Sequence, residues 1–167
     1  ATGRSYVELV ADLGKELGIH FGFGAPNATD KDQPWGHGQD LEPEPPQENG
    51  KLNWLLAAGN IQLSLPDYAK FIQLQLAGAA GRSPLLSSEE FHFLHQGRDR
   101  FAVGWFWERE ATGDPVVYNI GNPGTFLSKV YMLPAKDRAF IFLCNAQTSM
   151  AEHGLNELYR EVKRRYP

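Results

Sequence analysis

Val117-Tyr118-Asn119-Ile120-Gly121-Asn122-Pro123-Gly124 starts as a strand and ends as a turn. Val, Tyr and Ile are strand formers, whereas Gly-Asn-Pro-Gly supplies the positive-φ tolerance and the fixed φ that turn the chain. Two more apolar runs follow, residues 126–133 and residues 139–144, joined by Pro134-Ala135-Lys136-Asp137. Short strands separated by short turn signals pair antiparallel. Upstream, Thr112-Gly113-Asp114-Pro115 is a turn leading into Val116, and Phe101, Val103, Trp105 and Trp107 alternate as one face of a preceding strand. The run Phe140-Ile141-Phe142-Leu143 is apolar on both faces, so the sheet should be covered by helices on both sides.

The helices lie before and after these strands. Ser5-x-x-Glu8 is a capping-box pattern, after which Tyr6, Val10, Leu13 and Leu17 share a face and Gly18 stops the helix. Ser64-Leu65-Pro66-Asp67 opens a second helix, running to about Gly78, with serine as cap and proline in the first turn. Ser87-Ser88-Glu89-Glu90 opens a short third, and Ser149-x-x-Glu152 caps a last one with an inward stripe of Leu155, Leu158, Tyr159 and Val162. Helices, then antiparallel strands, then a terminal helix make an α+β fold, an antiparallel sheet flanked by helices. Between them, residues 20–50 are rich in Gly, Pro, Asn and Asp, and Glu42-Pro43-Glu44-Pro45-Pro46 continues neither helix nor central strand. This reads as a long ordered loop, of a length that packs on something else or borders a cleft.

Composition narrows the function classes. With 167 residues, 42% of them hydrophobic, one domain can bury about 70% of the surface of its unfolded chain. Net charge is −4 and the sixteen basic residues are dispersed, leaving no footprint for nucleic acid and no polybasic membrane patch. Lys163-Arg164-Arg165 ends a helix, where cations complement the macrodipole. Cys144 is the only cysteine and sits in an apolar run, which favours an inert thiol and excludes an internal disulfide. No apolar run approaches the length of a membrane span, and charge and cysteine usage select no compartment.

Four segments, in order, carry a family resemblance over nearly the whole chain: Ala1-Thr2-Gly3-Arg4-Ser5-Tyr6; Pro34-Trp35-Gly36-His37; Ala57-Ala58-Gly59-Asn60 through Phe71; and Asn119-Ile120-Gly121 through Asn145. Together they resemble the serine β-lactamases and penicillin-binding proteins, the class C β-lactamase-like hydrolases in particular. The resemblance implies a β-lactamase/transpeptidase-like fold, in which residues 1–167 form a single domain that is the C-terminal portion of a larger one. It implies that Asn119-Ile120-Gly121 stands where the family has Lys-Thr-Gly or His-x-Gly, and that the N–H of Asn122 is an oxyanion donor. Asn119 departs from that pattern, because an amide hydrogen-bonds but neither carries charge nor shuttles a proton. Gly121 lets a strand approach a substrate with no Cβ between them.

No Ser-x-x-Lys occurs anywhere in the chain. In the family that motif holds the nucleophile and the lysine that assists its deprotonation. The resemblance therefore implies the C-terminal part of a serine hydrolase that acts on an ester, amide or lactam, inactive by itself. It would be completed by an N-terminal portion or a second chain bringing Ser-x-x-Lys and Tyr-x-Asn. Gly3, placed as a left-handed cap, makes Ala1-Thr2 read as the tail of a preceding helix. An exposed apolar patch is then expected, covered by that portion or by a second copy of the chain. The alternative is a non-catalytic binding or scaffold domain that keeps the sheet without the chemistry. Asn, Gly and Pro at residues 119–124 are also ordinary turn residues.

Among the remaining polar and aromatic residues, His37 follows Trp35-Gly36 in the long loop, where it can line a cleft, and Trp54 precedes Ala57-Ala58-Gly59, where it can wall a pocket; both are candidate substrate-binding residues. Trp105 and Trp107 read as packing residues. His92 and His95 stand three apart with no third ligand at metal spacing, so a surface or packing role is expected and neither metal nor cofactor is called for. No Gly-x-Ser-x-Gly elbow nominates a nucleophilic serine.

Overall fold

A computed structural model describes residues 2–28, 30–45 and 56–166. Helix α1, Tyr6–Leu17, begins at a complete capping box: Ser5 Oγ accepts from the N–H of Glu8, and the Glu8 carboxylate accepts from the N–H of Ser5 at 2.8 Å. It ends at Gly18, whose φ of 64° is the left-handed cap. The long loop carries the two-residue strand β1, Gly22–Phe23, and a 3₁₀ turn at Pro26–Ala28. The short helix α2, Leu56–Gly59, leads into strand β2, Ile61–Gln62, which pairs antiparallel with β1. Helix α3, Leu65–Ala79, starts at Ser64, and helix α4, Ser88–Gln96, at a second capping box formed by Ser87 and Glu90.

Strands β3, Phe106–Arg109, β4, Pro115–Gly121, β5, Leu127–Leu133, and β6, Arg138–Cys144, form an antiparallel sheet in sequential order. Asp137, at a φ of 49°, closes the turn between β5 and β6. Helix α5, Ser149–Arg165, completes the chain.

Because directly opposed residues of antiparallel strands share a face, the register sorts the sheet into rows. One face carries Trp107, Val117, Met132 and Ala139 in a first row, Asn119, Val130 and Ile141 in a second, and Gly121, Ser128 and Leu143 in a third. Ile72 and Leu76 of α3 pack on this face with Trp105, Val117, Val130 and Met132, and Tyr68 and Phe71 close the edge of that core. On the opposite face Tyr159 of α5 stacks on Tyr131 with ring centroids 3.8 Å apart and meets Phe140 and Phe142 edge-on. The sheet is thus covered by a helix on each side. Lys129, on the α5 side and only 2% exposed, donates to Asn156 Oδ1 at 2.6 Å and lies 3.5 Å from Glu152.

Two details differ from the sequence reading. Phe101, Val103, Trp105 and Trp107 do not form one strand face: the chain folds back at Gly104, φ 78°, and Phe101 bridges to Phe106 instead. Phe101 and Val103 are exposed, Trp105 turns into the core, and Trp107 is half-buried with its indole N–H on the carbonyl of Arg98. A tight turn centred on a glycine outweighed the alternating pattern. The last helix is capped by Thr148, not Ser149: Thr148 has extended backbone and its side chain accepts from the N–H of Ala151 at 3.0 Å. Leu158 of the expected inward stripe is largely exposed.

His95 and His92 do not share a site. His92 is exposed, while His95 is fully buried between Phe91 and Trp105, with Nε2 on Gln75 Oε1 at 2.9 Å and Nδ1 without a partner among the described residues. Burial, reinforced by the nearby His92, lowers the His95 pKa to about 4. The unfolded chain therefore binds a proton near pH 6.5 that the folded chain refuses, and stability falls as pH drops from 6.5 toward 4. Urea titrations across that window should show a loss on the order of 3 kcal/mol, and His95→Gln should flatten the slope.

Helices α3 and α4 meet at Gly78, where an added Cβ would stand 2.2 Å from the Phe91 ring. Alanine would normally gain about 1 kcal/mol of helix propensity, but overpacking costs roughly 1–3 kcal/mol. Gly78→Ala should accordingly lower the urea midpoint, whereas Gly154→Ala, in open space on α5, should raise it.

Candidate active site

The fold concentrates the candidate residues where β4 outruns β3. The β3 ladder ends at the pair Phe106 and Tyr118, so residues 119–121 lie beyond it on that side while pairing with Val130, Lys129 and Ser128 of β5 on the other. The reason lies at Gly104. Trp105 would be next in the ladder, opposite Asn119, but the turn carries it into the core. The Asn119 side chain spans the gap, its Nδ2 donating to the Gly104 carbonyl at 2.7 Å. Since a carbonyl only accepts, this contact fixes the amide orientation. Residues 119–121 therefore form a locally unpaired edge inside a four-stranded sheet, the geometry that leaves backbone groups available to a bound molecule.

Gly121 has two reasons to lack a side chain. It stands on the uncovered stretch of strand, and a Cβ there would lie 2.5 Å from Ser128 Oγ across the ladder. Asn122 folds its side chain back, Oδ1 accepting from the N–H of Gly124 at 2.9 Å, so its carboxamide shapes the turn. Cover by α3 gives out along the rows: Val117 and Val130 are fully buried, whereas Leu143, in the row of Gly121 and Ser128, is 45% exposed. On the other face, Ile120, Phe101 and Phe106 carry further exposed apolar surface, Phe101 tilted against Phe106, which stacks on Tyr118. Ser128 was not singled out in the sequence, where it stands beside Lys129 in an otherwise apolar strand. Its opposition to Gly121 is the signal, and only the register supplies it.

His37 reaches the same end of the sheet by a different route. Its N–H donates to the carbonyls of Thr125 and Asn145, each at 2.9 Å, and its carbonyl accepts from Gln147 at 2.8 Å. Asn145 Nδ2 donates to the carbonyl of Trp35 at 3.1 Å. Gly36 is buried against Thr125 and Phe126, where a Cβ would come within 2.5 Å of Thr125 Oγ1. His37 is half-buried and its Nδ1 lies 3.0 Å from the Asn145 carbonyl, which requires Nδ1 to carry a proton, so that in the neutral ring Nε2 is the acceptor. The structure thus brings Asn119, Gly121, Ser128 and Asn122 together, with His37 fixed beyond the turn that follows them. Trp54 lies outside the described residues.

Cys144 is half-buried on β6. No helix among the described residues is long and apolar enough to cross a membrane.

Among solved structures the chain is similar to the octameric penicillin-binding protein homologue from Pyrococcus abyssi, with a TM-score of 0.69 and 19% sequence identity. The likeness covers 87% of this chain and 35% of the homologue, so the chain spans about a third of that protein's length, and at this identity the likeness is one of fold. A search of curated protein sequences gives no match. The sequence profile of the Beta-lactamase family matches residues 1–163. A match over almost the whole length, to a chain whose sheet places the Asn119-Ile120-Gly121 strand at an open edge, makes this protein a member of the beta-lactamase family.

Proposed function

We propose that this chain forms the active-site wall carrying the Asn119-Ile120-Gly121 strand in a β-lactamase-like serine hydrolase, in which a serine attacks an ester, amide or lactam and the acyl-enzyme is then hydrolysed. The observation that carries this reading is the overhang of residues 119–121 past the end of β3, with Gly121 leaving its strand open to a substrate. In that role the N–H of Asn122 is one oxyanion donor, aimed by the turn that its own side chain stabilises. His37, held as the Nδ1–H tautomer, offers Nε2 to the substrate. Trp54 is assigned to the pocket wall on its sequence position alone.

The nucleophile and its lysine belong, in this reading, to an N-terminal portion on the same polypeptide or a second chain, since the sequence holds no Ser-x-x-Lys. Residues 1–167 are then the C-terminal part of one larger domain, and Gly3, at a φ of 69°, suits the end of a preceding helix. Self-association of the complete protein is part of the proposal, by analogy with the octameric homologue. A non-catalytic binding role is the second reading. It is favoured by Asn119, an uncharged side chain with its amide already engaged on Gly104.

The isolated chain should neither turn over a chromogenic β-lactam or a p-nitrophenyl ester nor be labelled by a fluorophosphonate, because an activated serine and its base are both lacking. Stoichiometric labelling of any of its serines would overturn the assignment of the nucleophile elsewhere. Joined to a portion that supplies Ser-x-x-Lys, the protein should gain turnover if the catalytic reading holds and stay silent if the binding role does.

In that complete form, Gly121→Val should cost at least about 3 kcal/mol of transition-state stabilisation, the scale of one lost oxyanion donor. Asn119→Ala should be milder. Unchanged kcat/KM in Gly121→Val would take this strand out of the active site.

A further inference from the structure

Two polar side chains meet in the core between α3 and α4, and a short chain of contacts leads from them to Asn119. His95 is fully buried and Gln75 nearly so, and His95 Nε2 lies 2.9 Å from Gln75 Oε1. With that oxygen as acceptor, Nε2 carries the ring proton, and Nδ1, buried and without a partner among the described residues, is the bare nitrogen. The ring stands edge-on to Trp105, with centroids 5.5 Å apart and planes at 81°. Trp105 belongs to the turn that ends the β3 ladder. The carbonyl of Leu94, at the end of α4, accepts from the N–H of Val103 at 3.0 Å, and the carbonyl of Trp105 accepts from the N–H of Ala102 at 2.8 Å. Gly104, between Val103 and Trp105, gives its carbonyl to Asn119 Nδ2 at 2.7 Å. Arg100, just before the turn, has a φ of 60°, a left-handed conformation that an arginine adopts reluctantly, so the turn depends on what it leans against.

It leans on His95 through Trp105. A leucine or phenylalanine could fill that space without burying ring nitrogens, so packing alone does not call for histidine. What histidine adds is a second proton. An Nδ1–H formed here finds no acceptor and places a charge in the core, which the ring relieves only by moving, and Trp105 stands against it. The surroundings offer no compensation. His92, three residues earlier on α4, acts on His95 as a like charge; Gln75 of α3 and Trp105 of the turn are neutral; Arg98, Asp99 and Arg100, between α4 and the turn, are exposed to water. We propose that His95 is a positioning residue for residues 119–121: neutral, it holds Trp105 and with it the Gly104 turn that tethers Asn119, and protonated, it loosens that turn and frees the tether. The value of this positioning for catalysis rests on the active-site reading of that strand.

The test is an NMR titration of the isotopically labelled chain from neutral pH down to about 4, where His95 gains its proton. The His95 ring, the Asn119 side-chain amide and the backbone amides of Val103 and Gly104 are followed, with the amide of Gly154 on α5 as a distant reference. Asn119, Val103 and Gly104 should titrate with the midpoint of His95 while Gly154 stays in place. His95→Gln should abolish that titration at Asn119. His92→Gln, an exposed change that removes the like charge, should raise the midpoints of His95 and Asn119 together, and it serves as the deciding variant if His95→Gln does not fold.

An Asn119 amide that does not follow His95, or whose midpoint stays put in His92→Gln while that of His95 rises, would overturn the proposal. Gly154 moving in step with Asn119 would also overturn it, since His95 would then be a core residue whose protonation opens the whole fold. No substrate enters the titration, so its failure leaves the strand in the active site. Unchanged kcat/KM in Gly121→Val would, conversely, remove the strand from the site and leave the coupling intact.

Discussion

Val117, Val130 and Met132, all fully excluded from water, press against Ile72 and Leu76 of α3, and this contact between a helix and two rows of a sheet holds every other relation in the protein. Burying a side chain of this size is worth about 1.5–3 kcal/mol, which no surface ion pair approaches. The contact also fixes which face each strand residue occupies. With Val117 inward, Asn119 and Gly121 must share its face, because a slip of one residue would send the entire strand to the other side. The same contact sets where the cover stops. Helix α3 packs on the first two rows and leaves the Gly121, Ser128 and Leu143 row open, so the boundary of the hydrophobic core is also the rim of the candidate site.

Much of this was legible in the sequence because it depends on local chemistry. Ser5 with Glu8, Ser87 with Glu90 and Ser64 before Pro66 start helices through bonds spanning three residues, and a three-residue pattern is visible in one dimension. The hairpin at Pro134–Lys136 and Asp137 is equally local. What failed was also instructive. The alternation of aromatic residues from Phe101 to Trp107 looked like one strand, yet Gly104 reverses the chain within it, and the alternating apolar positions serve a turn, an aromatic stack and the core. The cap of α5 moved by one residue because Thr148 and Ser149 are both competent and only backbone geometry chooses between them.

The site was half legible. Asn119, Gly121 and Asn122 stood out through a family pattern, but their arrangement follows from where β3 ends, and that end is set by a turn fifteen residues earlier in the chain. Ser128 was invisible for the same reason: its neighbour in space is Gly121, and no spacing rule links the two before the register is known. His37 illustrates the opposite case. Its motif drew attention to it, but its tautomer comes from Asn145, more than a hundred residues away, whose carbonyl decides which ring nitrogen holds the proton. Sequence nominates residue types. Long-range pairing assigns them their donors and acceptors.

Lys129 gives the sheet a second property. Its ammonium lies under α5, held by Asn156 and close to Glu152, on the face that also carries Tyr131, Phe140 and Phe142. While α5 is docked, the charge is neutral in effect, since it is hydrogen-bonded and faces a carboxylate. Before α5 docks, during synthesis or a transient opening, that face would be a broad aromatic surface suited to stacking on another sheet. Lys129 then stands at its centre as a bare cation, which no second sheet can bury without cost. A charge buried in the folded protein is thus a gatekeeper for the incompletely folded one, penalising wrong partners at the moment when the right helix is not yet in place.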